Sequence, residues 1–344
     1  MLLTCLILAL GAGAWAAPDA ALVRALAERI LACRHEPTGV FLMAPIAEGT
    51  PAGLSPYFAH FAAYGLLRAY EVVPDPEYLA AADAWVDWYR EHMQADGTVT
   101  DYRLEPDGRL TSAGDMDSTD SYAALYLWLI AERWRAKPEP AEWLRERELS
   151  CFRAYSAIML TLQADGLTVA KPSYPIEYMM DNAEVIVGLW SGVSVFEALG
   201  NEGMATQCRR LGDRMEAELR TFYSPEHGYF AIYRDLQGRK GYQLTQWYPD
   251  VMAQVLALMR IGRAQEPDRS VFARVARDFL EKEFDLTRPL RHAWYGLAAQ
   301  RVGDTDWADR IIGALGRLTP ESVSNLDSVE CNTVLEAITG GTRP

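Results

Sequence analysis

Four short stretches place carboxylates where acid–base chemistry could use them: DMDSTD (115–120), MMDNAE (179–184), QWYPD (246–250) and NLDSVE (325–330). Each opens an apolar helical run, so its acids stand at a helix start. Cleaving a glycosidic bond takes a pair of carboxyl groups, one protonating the leaving oxygen and one activating water or attacking carbon. Asp117, Asp120, Asp181 and Asp250 are the candidate catalytic acids. Glu48 and Glu177, in or beside long loops, are further candidates for the proton donor. Tyr57, Trp190, Trp247, Tyr248, Trp294 and Tyr295 offer flat faces for sugar rings, and Asp115, Glu184 and His292 are candidate polar contacts. His292 would serve as a proton shuttle, a sugar contact or a packed core histidine.

Helix capping competes for the same acids. Asp117–Asp120, Asp181–Glu184 and Asp327–Glu330 each match or approach a capping box, in which both acids satisfy free backbone N–H groups. One cap needs one aspartate, however, and the run 115–120 holds three. A carboxylate at a helix N-terminus faces the positive end of the dipole and favours its charged form, which suits a base or nucleophile. A general acid needs drier surroundings or a neighbouring carboxylate. Asp117 and Asp120, three apart, would be neighbours of that kind.

These acids must be held by helices. Apolar periodicity predicts twelve, near 19–34, 55–71, 76–94, 117–135, 140–163, 181–199, 201–222, 247–262, 268–284, 291–302, 305–318 and 322–338. Through the first eight, long connections precede even-numbered helices and short ones follow them. The segment before the fourth contains Asp107-Gly108, which suits a hairpin turn. Up–down hairpins that bury their stripes on one another can close into a ring. The expected fold is therefore all-α: an (α/α)6 barrel of inner even and outer odd helices, with small β-hairpin loops on one face. The run SYAALYLWLI (121–130) is apolar almost all round, as an inner helix must be. The acids would then converge on one end of the barrel, where elaborated loops usually carry the site.

Composition narrows the partners. The chain has 344 residues, half of them apolar, and a formal charge of -14. That balance argues against nucleic acid and anionic membrane surfaces. Residues 1–16, MLLTCLILALGAGAWA, read as a secretory signal ending in a small-x-small site, which leaves 17–344 as one exported domain. Cleavage would leave Cys33, Cys151, Cys208 and Cys331. Ring closure would bring Cys33 and Cys331 together, so a disulfide is expected there, while Cys151 and Cys208 would either pair between outer helices or stay as buried free thiols. Neither cysteines nor histidines have metal-ligand spacing. There is also no GxSxG, P-loop or dinucleotide fingerprint, so no metal or cofactor is implied.

The whole mature chain resembles the six-hairpin glycosidase superfamily. SAGDMDSTDSYAALYLWLIAE (112–132) is similar to the segment of family 8 glycoside hydrolases that carries aspartates into the cleft, which implies roles for Asp115, Asp117 and Asp120. The nearest counterpart of that family's Ser-Glu-Gly run is Ala47-Glu48-Gly49. YMMDNAEVIVGLWSG (178–192) resembles the unsaturated glucuronyl and rhamnogalacturonyl hydrolases, with Asp181 at the position of their aspartate. DMDST also resembles the acid motif of class II terpene cyclases, with Ser118 in place of an aspartate. The resemblance implies an exported glycoside hydrolase of poly- or oligosaccharides. Alternatives are a non-catalytic carbohydrate-binding protein, a sugar epimerase or an unsaturated uronyl hydrolase on the same fold.

Overall fold

The computed structural model describes residues 17–138, 141–283 and 289–340. The signal sequence expected at 1–16 lies outside the described residues. Twelve main helices form hairpins: α1 Ala20–Ala32, α2 Pro56–Val72, α3 Pro76–His92, α4 Thr119–Ala136, α5 Glu148–Thr161, α6 Met179–Ala198, α7 Glu202–Leu219, α8 Met252–Ile261, α9 Asp268–Val275, α10 Pro289–Val302, α11 Thr305–Leu315 and α12 Ser328–Ile338. Helix α2 packs on α4, α4 on α6, α6 on α8, α8 on α10, α10 on α12, and α12 back on α2. The ring of even helices is closed, and the odd helices pack outside it. This is the (α/α)6 barrel expected from the alternation of connections.

The helices follow their patterns. In α4 every residue from Thr119 to Arg133 is buried, because neighbours cover it on all sides. Outer α3 keeps Asp83, Asp87, Arg90 and Glu91 off the core, and Asp83 takes a fork of two 2.8 Å hydrogen bonds from Arg133 of α4. Glycine sets one inner contact. A Cβ on Gly188 of α6 would lie 2.5 Å from the Ala124 carbonyl oxygen and 2.7 Å from its Cα. The α4 and α6 backbones therefore touch on the faces that carry Asp120 and Asp181 one or two turns earlier.

Departures from the expected boundaries have local causes. The fifth helix is interrupted after Ala141–Arg145 and resumes at Glu148. The eighth begins with a wide turn over Trp247–Val251, with Tyr248 extended. The ninth runs on through a similar wide turn, Ala276–Leu280, to Glu283. The twelfth starts at Ser328 because Asp327 and Glu330 close a complete capping box there, and a separate turn of helix covers Pro320–Val323.

The long connections pair with one another. Strands β1 Arg34–His35 and β2 Val40–Phe41 form a hairpin, while β3 Ala52–Leu54, β4 Tyr102–Leu104 and β5 Leu110–Ser112 form an antiparallel sheet in that order. Asp107-Gly108 makes the β4–β5 turn, with Gly108 at φ 80 and Leu104 opposite Leu110. Strand β6 Ile176–Tyr178 precedes α6. Before α8 come β7 Tyr223–Ser224, β8 Tyr229–Phe230, β9 Tyr233–Asp235 and β10 Lys240–Gly241. Strand β9 sits between β10 and β6, and β7 pairs with β8. The two three-stranded sheets thus each tie together the loops of two neighbouring inner helices. No described helix is long and apolar enough to cross a membrane.

The disulfide expected between Cys33 and Cys331 is absent, and Cys151 and Cys208 take their buried free-thiol alternative. Cys33, Cys151, Cys208 and Cys331 are free and buried. The Cys33 thiol donates to the Arg29 and Met43 carbonyls, at 3.3 and 3.7 Å, and burial pushes it up to about 11.

Candidate active site

The N-termini of α4 and α6 meet beside a cavity of about 430 Å³. Its lining includes Asp117, Asp181, Tyr57, Tyr174, Tyr178 and Tyr248. A neighbouring hollow of about 280 Å³ shares Ser55 and Phe58 with it and runs over the β3–β4 strands to Asp101. Together they make a groove rather than a closed pocket.

The local sequence explains how the acids are aimed. Ser118, not Asp117, caps α4: its Oγ accepts from the Ser121 N–H at 3.2 Å and donates to Asp120 Oδ1 at 2.6 Å. Asp117 is left exposed at the cavity wall. Helix α6 has no side-chain cap at Tyr178, so Asp181 and Glu184 are not used to close a capping box. Asn182 instead pins the start of α6 to the preceding loop. Its Oδ1 accepts from the Thr168 N–H at 2.9 Å, and its Nδ2 donates to the Thr168 and Tyr178 carbonyls, each at 2.9 Å. That anchoring fixes Asp181, the preceding residue, at the cavity.

Four carboxyl groups gather where α4 and α6 begin, Asp117 exposed, Asp181 half-buried, and Asp120 and Glu184 buried behind them. Asp120 is fully buried, and burial pushes its pKa up to about 6 despite hydrogen bonds from Ser118, Thr168 and Ser121. Glu184, also buried, accepts from Tyr57 Oη at 2.7 Å. Burial raises it to about 7, against the pull of Tyr57 and Arg260. Asp181 is raised well above the ordinary aspartate range by desolvation first, then by the charges of Asp120, Glu184 and Asp117. The helix dipole was expected to keep such a group ionised. Here burial and three like charges outweigh a dipole term of about 0.3–1 kcal/mol.

The other candidates fall into three settings. Asp115 points to the surface, where Lys171 donates to both its oxygens at 2.8 and 2.9 Å and holds its pKa below the usual range. Asp250 is fully buried, and its Oδ2 accepts from the Thr245 N–H and Oγ1 at 2.8 Å and from the Gln246 N–H at 3.2 Å, so it folds the loop before α8. Glu177 is ion-paired with Arg234 at 2.5 Å, which also binds Glu218 and Asp165. Glu48 is exposed on its loop.

The aromatic residues divide in the same way. Tyr57 and Tyr248 line the cavity, Tyr248 with 64% of its surface exposed. Trp247 packs on Trp294 and Tyr295 of α10, with ring centroids 6.3 and 5.6 Å away, and His292 is buried on the same helix. Trp190 lies nine residues beyond Asp181 on α6, roughly 13 Å along the axis, and lines a different cavity at the far end of the barrel. Three contributors were not singled out from the sequence. Tyr174 and Tyr178 line the cavity with their hydroxyls 3.2 Å apart. Asp101 accepts from Tyr122 Oη at 2.8 Å, and burial raises its pKa. The signal for all three was their place in a long loop before an acidic inner helix.

No family model matches the sequence, and no curated protein matches it significantly. Solved structures do share its fold. The β-1,3-1,4-glucanase from Paenibacillus sp. X4 superposes with a TM-score of 0.63 at 11% identity, over 92% of this chain and 90% of that one. An α-amylase from Clostridium perfringens gives 0.59 at 12% identity, over 93% and 98%. A rhamnosidase from Klebsiella oxytoca with rhamnose bound gives 0.57 at 13%, over 93% of this chain and 65% of that one. The chain has a six-hairpin glycosidase-type fold. In the six-hairpin barrel described here, α4 and α6 supply the acids and the loops before them supply the tyrosines.

Proposed function

We propose that this chain is an exported glycoside hydrolase that cleaves a poly- or oligosaccharide with Asp181 as general acid and Asp117 as its carboxylate partner. The observation that carries this reading is the crowding of Asp117, Asp120, Asp181 and Glu184 beside one tyrosine-lined groove, with Asp181 pushed toward its protonated form. A protonated Asp181 donates its proton to the glycosidic oxygen as the C–O bond breaks. The Asp117 carboxylate takes a proton from the water that attacks the sugar carbon, or attacks that carbon itself to form a glycosyl ester that water then hydrolyses. Asp120 and Glu184 stay behind the cavity wall and keep Asp181 from ionising. Tyr174, Tyr178 and Tyr248 supply ring faces for sugars, and the adjoining hollow toward Asp101 gives room for a further unit.

The test is a hydrolysis screen over neutral, acidic and unsaturated uronyl oligosaccharides, with wild type, Asp117→Asn and Asp181→Asn side by side. Turnover by wild type on one class is expected, with loss in both variants at an unchanged melting temperature. Sugar binding without turnover in any form would replace this reading with that of a carbohydrate-binding protein.

A further inference from the structure

A second cavity, of about 470 Å³, opens at the end of the barrel away from the acids, between α4, α6, α8 and α10. Its size is that of a small-ligand site. Its walls include Trp128, Trp190, Arg260, Arg263 and Arg301; none of these lines the groove at the other end, where only the Arg260 charge reaches, at Glu184.

Arg260 is 2% exposed and gives Nη1 to Glu336 at 2.8 Å. Its Nε and Nη2 have no hydrogen-bond partner among the described residues. Buried donors left open are costly, and a guanidinium edge matches two oxygens of one anion. Arg301 enters from α10 and, among the described residues, donates only to main-chain carbonyls, Met259 at 3.4 Å and Arg260 at 3.1 Å. Burial and the Arg260 charge push its pKa down, against the pull of Glu336. The remaining arginines are matched by acids: Arg135 by Glu132, and Arg263 by Glu216. Arg260 is itself paired with Glu336, so the unmatched positive charge sits on Arg301, beside the two open donors of Arg260. Trp128 lies under the Arg260 guanidinium at 4.9 Å, and Trp190 offers an indole to the same cavity.

We propose that this cavity binds a small organic oxyanion, its carboxylate or phosphate group held between Arg260 and Arg301 and its carbon skeleton against Trp190. The inference stands whether or not the groove at the opposite end hydrolyses glycosides.

Calorimetric titration of the full chain with inorganic phosphate and with glucuronate tests it, glucose serving as the neutral control. At least one anion is expected to bind at one site, more weakly as salt rises, and the stronger of the two identifies the head group. Arg301→Gln should weaken that binding about tenfold or more. Ser194→Asp keeps every arginine and adds a negative charge at the exposed rim, so it should weaken binding at least about threefold even if Arg301→Gln fails to fold. Asp181→Asn should leave it unchanged, which separates this site from the groove. The proposal is overturned if neither anion binds at millimolar concentration, or if Ser194→Asp binds as wild type does.

Discussion

The helix starts at 117–120 and 327–330 are spelled almost alike, Asp-Ser-Thr-Asp and Asp-Ser-Val-Glu, yet their acids are used differently. At 327–330 the two side chains close on the backbone: Asp327 Oδ1 accepts from the Glu330 N–H at 2.7 Å, and Glu330 Oε2 accepts from the Asp327 N–H at 3.0 Å. Both acids are consumed by the helix. At 117–120 the cap passes to Ser118, Asp120 turns inward behind it, and Asp117 is released to the groove. One serine hydroxyl taking the cap frees a carboxylate for other work. The same contrast holds for α6, where Asn182 does the anchoring and Asp181 is spared.

The sharpest way to break this comparison is kinetic. Asp181→Asn and Asp117→Asn are each predicted to lower kcat about 10²–10⁴-fold, the usual worth of a placed acid or base, whereas Asp327→Asn leaves kcat near that of wild type. Equal losses at the three positions would erase the distinction. Gly188→Ala comes next. Its Cβ would meet the Ala124 backbone, so α4 and α6 must part, at about 1–3 kcal/mol of stability by denaturant unfolding, with a drop in kcat from the displaced acids. An unchanged midpoint would mean the helices do not rely on that contact.

A third prediction concerns pH. Glu184 rises to about 7 in the fold from about 4.3 in an unfolded chain. Its ionisation therefore opposes folding: the penalty is absent below the unfolded value, grows as pH rises through that window, and is complete above pH 7. Glu184→Gln removes it, so the variant should match wild type near pH 4 and exceed it by on the order of 3–4 kcal/mol near pH 8. A difference that does not vary with pH would contradict the burial of that charge. The smallest effect is structural. Asp327→Ala should cost about 1 kcal/mol of stability through loss of the cap, read as a lower denaturant midpoint with KM and kcat unmoved.

Much of the fold was legible in the sequence. Covered helices such as 121–130 carry apolar residues on every face, and the long connections fall before inner helices in register. The site was legible only as a set of acidic starts. The misplacement of Trp190 was avoidable, because nine residues of helix set it roughly 13 Å along α6 from Asp181, near the other mouth. Asp250 could not be separated from Asp181, because its tie to Thr245 depends on how the loop folds back. Glu177 reads as a free acid until Arg234, a strand away, comes to pair with it. The disulfide expected between Cys33 and Cys331 rested on helix adjacency alone, and adjacency does not fix the approach of two sulfurs.

Carbon-13 NMR of labelled aspartate carboxyl groups, followed through pH and assigned with Asp181→Asn, tests the central claim without any knowledge of the substrate. One resonance, missing in the variant, should keep its proton well above the ordinary aspartate range, because desolvation and three neighbouring carboxyls oppose its charge. If the Asp181 signal titrates with the exposed aspartates, the inner helices do not hold a proton donor at the groove, and the hydrolytic reading fails.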